Sequence, residues 1–563
     1  MKKIITNYQL LITLVVIIAA FLRLYNIAEV PPGLYPDEAM NGNNALEALT
    51  TVPPASGFKI FYPENNGREG LFINIQAVFL RFLMPLFGGQ PEPWMLRLPS
   101  AIFGILTVLG VYFLAKELFR KNFQFSILNF ESNSNVENLK TFGNWKLEIG
   151  NYEVALLSSF LLATSFWHIN FSRIGFRAIM APFFLTWGVY LFLRVLRYAK
   201  SELIASDRPS LLAMAAGVIY GLGFHSYIAY RATPLLFLAF LPRFRKDRTF
   251  WQILTAFGIG AVAAALPLVL YFLNQPEAFL GRTAQVSVFG SPTPLKDLGI
   301  NILKTAAMFN FAGDWNWRHN YAGRPELFWP AGILFLIGIF LAIKNLIQKL
   351  KIKNQNGNLK FQNAFTNPSQ ANTDILHFAF CILISWLIIA ALPVVVSNEG
   401  IPHGLRSILM IPPVFILAGA GGVWLFSRIK NYEFRIMNSK NRELKVIKTI
   451  IRTSLFIILS FMLFESYHTY FIKWAKNPNV PGAFSADYVQ IGRHLRSLPR
   501  ELPKYVIVEA SGIDVRGIPM PVQTVMFLTD TFTPQKQKEK NIFYVLPKQK
   551  DRIPADAFAT VLK

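Results

Sequence analysis

Asp37 and Glu38 stand side by side in "GLYPDEAMNGNNALEAL" (33–49), directly after a long apolar stretch. Two uses suit such carboxylates. Pro36 fits a first helical position, and acids in a first turn meet the positive end of the helix dipole, so the pair can simply start a helix. A carboxylate at the mouth of a membrane helix can also act as general base on an acceptor hydroxyl. Adjacent helical residues point about 100° apart. One acid is therefore expected to face the site, and the other to orient it or hold a metal.

Five further stretches combine residue types that handle anions, protons or sugars. "ENNGREGLF" (64–72) carries Arg68 and Glu69, either a surface ion pair or, through Arg68, a contact to a lipid phosphate. "HINFSRIGFR" (168–177) carries Arg173 and Arg177. Four residues apart on one helical face, these arginines could clamp an anion; singly, they could snorkel toward headgroups. Arg231 in "YIAYRATP" has the same two uses. "GDWNWRHN" (313–320) sets Trp315 and Trp317 beside Asp314, Arg318 and His319, a sugar platform or an interfacial anchor. His403 and Arg406 lie in "SNEGIPHGLRS" (397–407), at the start of an apolar run.

No two histidines have the chain spacing of a metal site, so no metal ligands are assigned, and a divalent cofactor is left open. A Ser-His-Asp signature, a P-loop and a dinucleotide fingerprint are all missing, which argues against ATP as a direct energy source.

The elements that must position these residues follow from composition. Of 563 residues, 53% are hydrophobic and only 16% charged. Soluble domains average about 25% charged, so the expected fold is an all-α polytopic membrane protein. Runs long enough to span, about 17–25 residues, lie near 4–23, 97–116, 152–168, 179–197, 210–227, 230–242, 251–273, 328–348, 375–396, 405–427 and 449–471, giving about eleven. The basic N-terminus resembles a signal peptide, but its apolar core is too long, so a retained first span is expected. Cys381, the sole cysteine, lies inside a run and excludes a disulfide framework.

The net charge of +24 does not point to nucleic acid, because the basic residues fall mostly in short loops between apolar runs. If "LFINIQAVFLRFLMPLF" (71–87) lies along the membrane surface instead of crossing, one set of loops holds about twice the lysines and arginines of the other. The positive-inside rule then places the N-terminus in the cytoplasm and the C-terminus outside, with 71–87 interfacial or re-entrant. In that topology nearly every unusual polar cluster falls on the outer side. Ionisable residues at membrane level are costly, so their convergence predicts one outward-facing site. Residues 1–473 are expected as the membrane domain. Residues 474–563 are expected as a small extracytoplasmic α/β domain, helical at "DYVQIGRHLRSL" and extended at "YVIVEA" and "NIFYVL". The Asn-rich loops 122–150 and 351–373 are expected in the cytoplasm.

An apolar first helix, a loop with Asp-Glu, an interfacial helix and then "LRLPSAIFGILTVLGVYFLAKELF" resemble the GT-C glycosyltransferases, in particular glycosyltransferase families 39 and 83. These are the protein O-mannosyltransferase and aminoarabinose-transferase types. "HINFSRIGFRAIMAPFFLTWGVYLFLRVLR" resembles that group's second outer loop and following span. The resemblance covers residues 1–235 well and the later spans loosely. It implies transfer of a sugar from a polyprenyl phosphate to an outer acceptor, with inversion, in the plasma membrane. The family's loop-one acid matches Asp37 as base, with Glu38 assisting. Its basic residue ahead of the interfacial helix falls at "REGLF", where Arg68 is the available cation and the family's prolines are missing. The aminoarabinose-type second acid has no counterpart in "HINFSRIGFRAIM", which leaves Arg173 and Arg177 as phosphate or sugar contacts. The acceptor is a lipid, a protein or a polysaccharide. The rival classes are a membrane transporter, disfavoured by the missing internal repeat, and a lipid-linked oligosaccharide transferase or ligase.

Overall fold

The computed structural model describes residues 2–50, 57–120, 125–127, 145–147, 151–201, 208–279, 287–355, 368–437 and 442–563. The loops expected in the cytoplasm at 122–150 and 351–373 fall largely outside that set. The described chain is a polytopic helical membrane protein with a small α/β unit at its C-terminal end.

The expected apolar runs are helical, but unequal in length. Among the described residues, seven helices are long and apolar enough to cross a membrane: Asn7–Leu24, Pro93–Leu118, Arg177–Ala199, Arg248–Asn274, Trp329–Gln348, Leu376–Val395 and Ile408–Ile429. The first two belong to helices α1 (Lys2–Leu24) and α4 (Pro93–Leu118); between them lie α2 (Pro36–Ala48) and α3 (Leu71–Leu86). The other four expected spans depart from a simple crossing. Helix α5 (Asn151–Ala163) rises about 20 Å, short of the roughly 30 Å hydrocarbon layer, and α6 (Phe166–Phe171) continues it after a break. The run expected at 210–227 gives only the 15-residue helix Arg208–Leu222. The short run at 230–242 is a 3-10 helix, Ile228–Phe240. At a rise of about 2.0 Å per residue it extends about 26 Å, farther than an α-helix of the same length. The final helix, Arg442–Tyr467, opens on Arg442, Glu443, Lys445 and Lys448, so its apolar part starts later.

Helix α3 occupies the stretch expected to lie along the surface. Its buried residues Phe72, Ile73, Gln76, Ala77 and Leu80 follow the helical period, while Phe82 and Leu86 are exposed. The buried stripe packs on α2 and α4. Elsewhere, small residues let backbones meet: a side chain at Gly217 would collide with the Phe257 carbonyl, and one at Gly260 with that of Met214.

The C-terminal unit pairs three strands in parallel, in the order Ile542–Val545, Lys504–Val508, Phe558–Leu562. Helix Ala486–Ser497, at the segment expected to be helical, and helix Gln523–Thr529, which was not expected, pack together and share a core with this sheet. Helix Gln523–Thr529 is buried along its length and sits on α2. Asn43 donates to Gln523 Oε1 at 2.9 Å, Thr524 donates to the Leu34 carbonyl at 2.9 Å, and Phe527 fills the space over Gly42. Tyr25, just past α1, meets Tyr467 and Phe471 at ring distances of 5.9 and 5.4 Å. The loop after α1 and the C-terminal unit therefore share one end of the helix bundle.

Candidate functional site

Helix α2 starts at Pro36 with both acids in its first turn, and the helical twist separates them. Glu38 is fully buried. Its Oε2 accepts from Arg97 Nε at 3.1 Å and from the Gly175 N–H at 2.6 Å. Arg97, also fully buried, spends its remaining donors on the Pro31 and Gly33 carbonyls, both at 2.7 Å. Glu38 thus ties α2 to α4 and to the loop after α6. Asp37 turns the other way and is half-buried, with Oδ1 accepting from Asn65 at 2.8 Å.

Asn65 belongs to a tight hairpin. Strands β1 (Phe61–Tyr62) and β2 (Arg68–Glu69) pair antiparallel. Asn65, Asn66 and Gly67 all have positive φ (53°, 61° and 79°), which explains an Asn-Asn-Gly turn, since these residues tolerate the left-handed region. The hairpin presents two neighbours in opposite directions. Arg68 points inward, 2% exposed, and donates to Asn41 Oδ1 at 2.7 Å and to Asn44. Burial, reinforced by nearby Arg177, brings its pKa down to about 10. Glu69 collects two arginines: Arg177 at 2.8 Å and Arg231 at 3.7 Å, each about one-fifth exposed.

Tyr35, at the start of α2, connects this group to a second one. The Arg318 guanidinium lies 3.6 Å over the Tyr35 ring. Burial, with Asp37 alongside, raises the Tyr35 hydroxyl pKa. One residue farther along, His319 Nδ1 is 2.8 Å from Asp314 Oδ2, which also accepts the Gly404 N–H at 2.8 Å. His403 Nδ1 lies 3.8 Å from the same oxygen, and the His319 and His403 rings are 4.8 Å apart. Burial works to raise the Asp314 pKa, but His319, His403 and the Asn316 N–H outweigh it and leave the carboxyl below its usual range. Burial and the neighbouring His319 drive His403 down to about 3. Glu326, buried against Asp314, is pushed well above the ordinary carboxyl range by burial and by that neighbour.

The fold thus brings Asp37, Arg68, Glu69, Arg177, Arg231 and Arg318 to one place, with Asp314, His319 and His403 adjoining. One expectation is corrected. Arg173 and Arg177 do not share a helical face, because the chain between α6 and the 3-10 turn Arg177–Ile179 is not helical. Arg173 is instead fully buried, donating to the Leu22 and Val30 carbonyls at 3.3 and 2.7 Å with Phe471 4.9 Å away. The expectation of no metal ligands rested on chain spacing, whereas Asp314, His319 and His403 offer ligand atoms within 4.8 Å of one another. Arg406 is engaged locally by Glu399 at 2.7 Å. Trp315 is largely exposed and packs over Gly323. Sequence reasoning missed Arg97, Asn65, Asn41, Asn44 and Glu326. Arg97 is the second residue of the quoted "LRLPSAIFGILTVLGVYFLAKELF", and an arginine at the start of a span following a loop acid was the available signal.

No protein-family model and no curated protein matches this chain. Solved structures do. The oligosaccharyltransferase AglB of Archaeoglobus fulgidus, in complex with an inhibitory peptide and a dolichol-phosphate, aligns at TM-score 0.49 and 14% identity, covering 97% of this chain and 70% of that one. ArnT from Cupriavidus metallidurans bound to undecaprenyl phosphate aligns at TM-score 0.49 and 12% identity, covering 98% and 92%. Its apo state aligns at TM-score 0.49 and 12% identity, covering 92% and 84%.

Proposed function

We propose that the protein transfers a sugar, hexosyl or pentosyl, from a polyprenyl-phosphate donor to an acceptor hydroxyl with inversion, Asp37 being the general base. One observation carries this reading: of the two loop acids Glu38 is fully buried, whereas Asp37 is only half-buried, held by Asn65 and next to Tyr35, on which Arg318 stacks.

In the proposed reaction the acceptor oxygen attacks the anomeric carbon from the face opposite the phosphate. The new C–O bond forms as the bond to the phosphate oxygen breaks. Asp37 takes the hydroxyl proton, and the phosphate leaves as an anion that needs no general acid. Developing charge on it is met by Arg318, Arg177 and Arg231, in a site where cations fixed in advance lower the barrier. Glu69 holds the latter two arginines in place. Arg68 and Glu38, both buried, position α2 and touch no substrate. A single base is enough, unlike the paired carboxylates of glycoside hydrolysis. The site opens to the extracytoplasmic side of the plasma membrane, with the N-terminus in the cytoplasm, and the acceptor is a lipid, a protein or a polysaccharide.

The test uses purified protein in lipid nanodiscs, supplied with radiolabelled polyprenyl-phosphate sugars and extracts of cell-envelope acceptors. Asp37→Asn is expected to lower transfer by about 10²–10⁴-fold, the usual worth of a positioned base, with an unchanged melting temperature. Undiminished transfer in that variant overturns the assignment. A reporter fused after residue 475 and found active only in the cytoplasm would place the site on the wrong face.

A further inference from the structure

We propose that Asp314, His319 and His403 bind a zinc-class divalent ion that pins the loop 313–327 to the loop 397–407. Such a site stands apart from the transfer reading and goes beyond it.

The donor set comes first. Two imidazoles and one carboxylate suit zinc or a neighbouring transition metal, and not magnesium or calcium, which take oxygen donors. The ligand atoms lie within 4.8 Å of one another, with His319 Nδ1 and His403 Nδ1 at 2.8 and 3.8 Å from Asp314 Oδ2. A tetrahedral zinc with bonds of about 2.0 Å sets its ligands about 3.3 Å apart. The two spacings from Asp314 Oδ2 bracket that value, and the ligand nitrogens of the two histidines, within 4.8 Å of each other, draw together by side-chain rotation.

A second observation points to a cation independently. His403 Nδ1 takes only a long contact from the Arg406 N–H, 3.4 Å away, and lies 3.8 Å from Asp314 Oδ2, so an ion bound there would replace one weak hydrogen bond. Glu326 supplies the independent sign. Its carboxyl group is buried, Oε1 accepts the Asp314 N–H at 3.1 Å, and Oε2 has no hydrogen-bond partner among the described residues. A methyl group placed on Gly404 would meet Glu326 Oε1 at 3.3 Å and Asp314 Oδ2 at 3.5 Å, so both carboxylates converge on one small volume.

The pinned loops also hold other parts. Gly404, beside His403, accepts from Trp167 Nε1 at 2.9 Å, and Arg318, beside His319, stacks on Tyr35. An ion here fixes both loops against α6 and α2.

The test reads metal directly. The purified full-length protein, stripped with chelator and dialysed, is titrated with Zn²⁺ alone and, separately, with Co²⁺. The expected result is one equivalent bound, a rise in melting temperature with Zn²⁺, and a visible cobalt absorption typical of a four-coordinate nitrogen–oxygen site. His403→Gln, at the more open ligand, is expected to weaken Zn²⁺ binding by 100-fold or more while the stripped variant still elutes as a monodisperse protein. Should that variant misfold, the cobalt spectrum of the unmodified protein decides alone. Failure to bind Zn²⁺ below about 100 µM, or a cobalt spectrum of six-coordinate hydrated ion, overturns the proposal. Neither readout needs a sugar donor, so the outcome is separate from that of the transfer reading.

Discussion

Glu38 and Arg97 form an ion pair, 3.1 Å apart, in which both side chains are fully shielded from solvent. The carboxylate also accepts a backbone N–H, and the guanidinium also serves two carbonyls. The pair is therefore a corner joint, holding the start of α2 between α4 and the loop that follows α6.

Removing one half leaves a buried charge without a partner, a change that costs about 3–5 kcal/mol in such pairs. Arg97→Ala and Glu38→Ala are each expected to lower thermal stability in detergent by that amount. Arg97→Lys should recover only part of it, because an ammonium cannot reproduce the planar fork. A lysine variant as stable as the parent would show that charge alone suffices.

Arg177 and Arg231 are about one-fifth exposed and share Glu69. Losing either should change folding little, because the buried Glu69 carboxylate keeps the other arginine as its partner. Each alanine substitution should instead lower kcat by about tenfold, the worth of one charge-assisted hydrogen bond of roughly 1.5 kcal/mol that strengthens as charge develops on the phosphate. A rise in KM at constant kcat would contradict that transition-state role.

Arg516 reaches from the C-terminal unit to the first loop, bonding both oxygens of Glu47 at 2.8 and 2.9 Å and Glu64 at 2.6 Å. Burial acts to raise the Glu64 pKa, but the Arg516 hydrogen bond prevails and leaves it below the ordinary glutamate value. A depressed carboxyl stabilises the docked form fully above its unfolded pKa, near 4.5. That contribution is lost as pH falls through the lower, folded value. Protease cleavage between the two parts should accordingly rise with acidification below about pH 4.5. In Arg516→Ala it should be high already at neutral pH and lose this acid step.

Gly33 has φ of +79°, and its Cα faces the backbone of the C-terminal unit. A methyl group there would overlap the Phe484 carbonyl and come within 2.8 Å of Ala486 Cα. Gly33→Ala combines left-handed strain with overpacking, together about 3 kcal/mol. The expected result is a lower melting temperature, with the protease sensitivity of the Arg516 variant. A neutral substitution would mean that the contact yields easily.

Local features were legible in the chain. Apolar runs gave the helices, the Pro-Asp-Glu order gave the start of α2, and the short runs "YVIVEA" and "NIFYVL" gave two of the three strands of the C-terminal sheet, because each depends on neighbours a few residues apart. The partners of the charged side chains were not. Arg173 and Arg177 look alike in sequence, yet one is sealed beneath Phe471 and the other stands in the open group. The ligand atoms of His319 and His403 come together only when two separate loops meet. Arg97 reads as a span-end cation until α2 brings Glu38 to it. Helix lengths were also overestimated, since hydropathy does not register the break between α5 and α6 or the 3-10 winding of Ile228–Phe240.

The seat of Gln523–Thr529 on α2 bears on the order of manufacture. Ribosomes deliver α2 among the first fifty residues and its cover almost five hundred residues later. Until then Asn43 and Glu47 lack Gln523 and Arg516. A nascent chain that has threaded every span therefore still holds an unfinished first loop. Completion of that loop waits on translation of the C-terminal unit and its docking on α2, so products terminated early carry α2 without its cover.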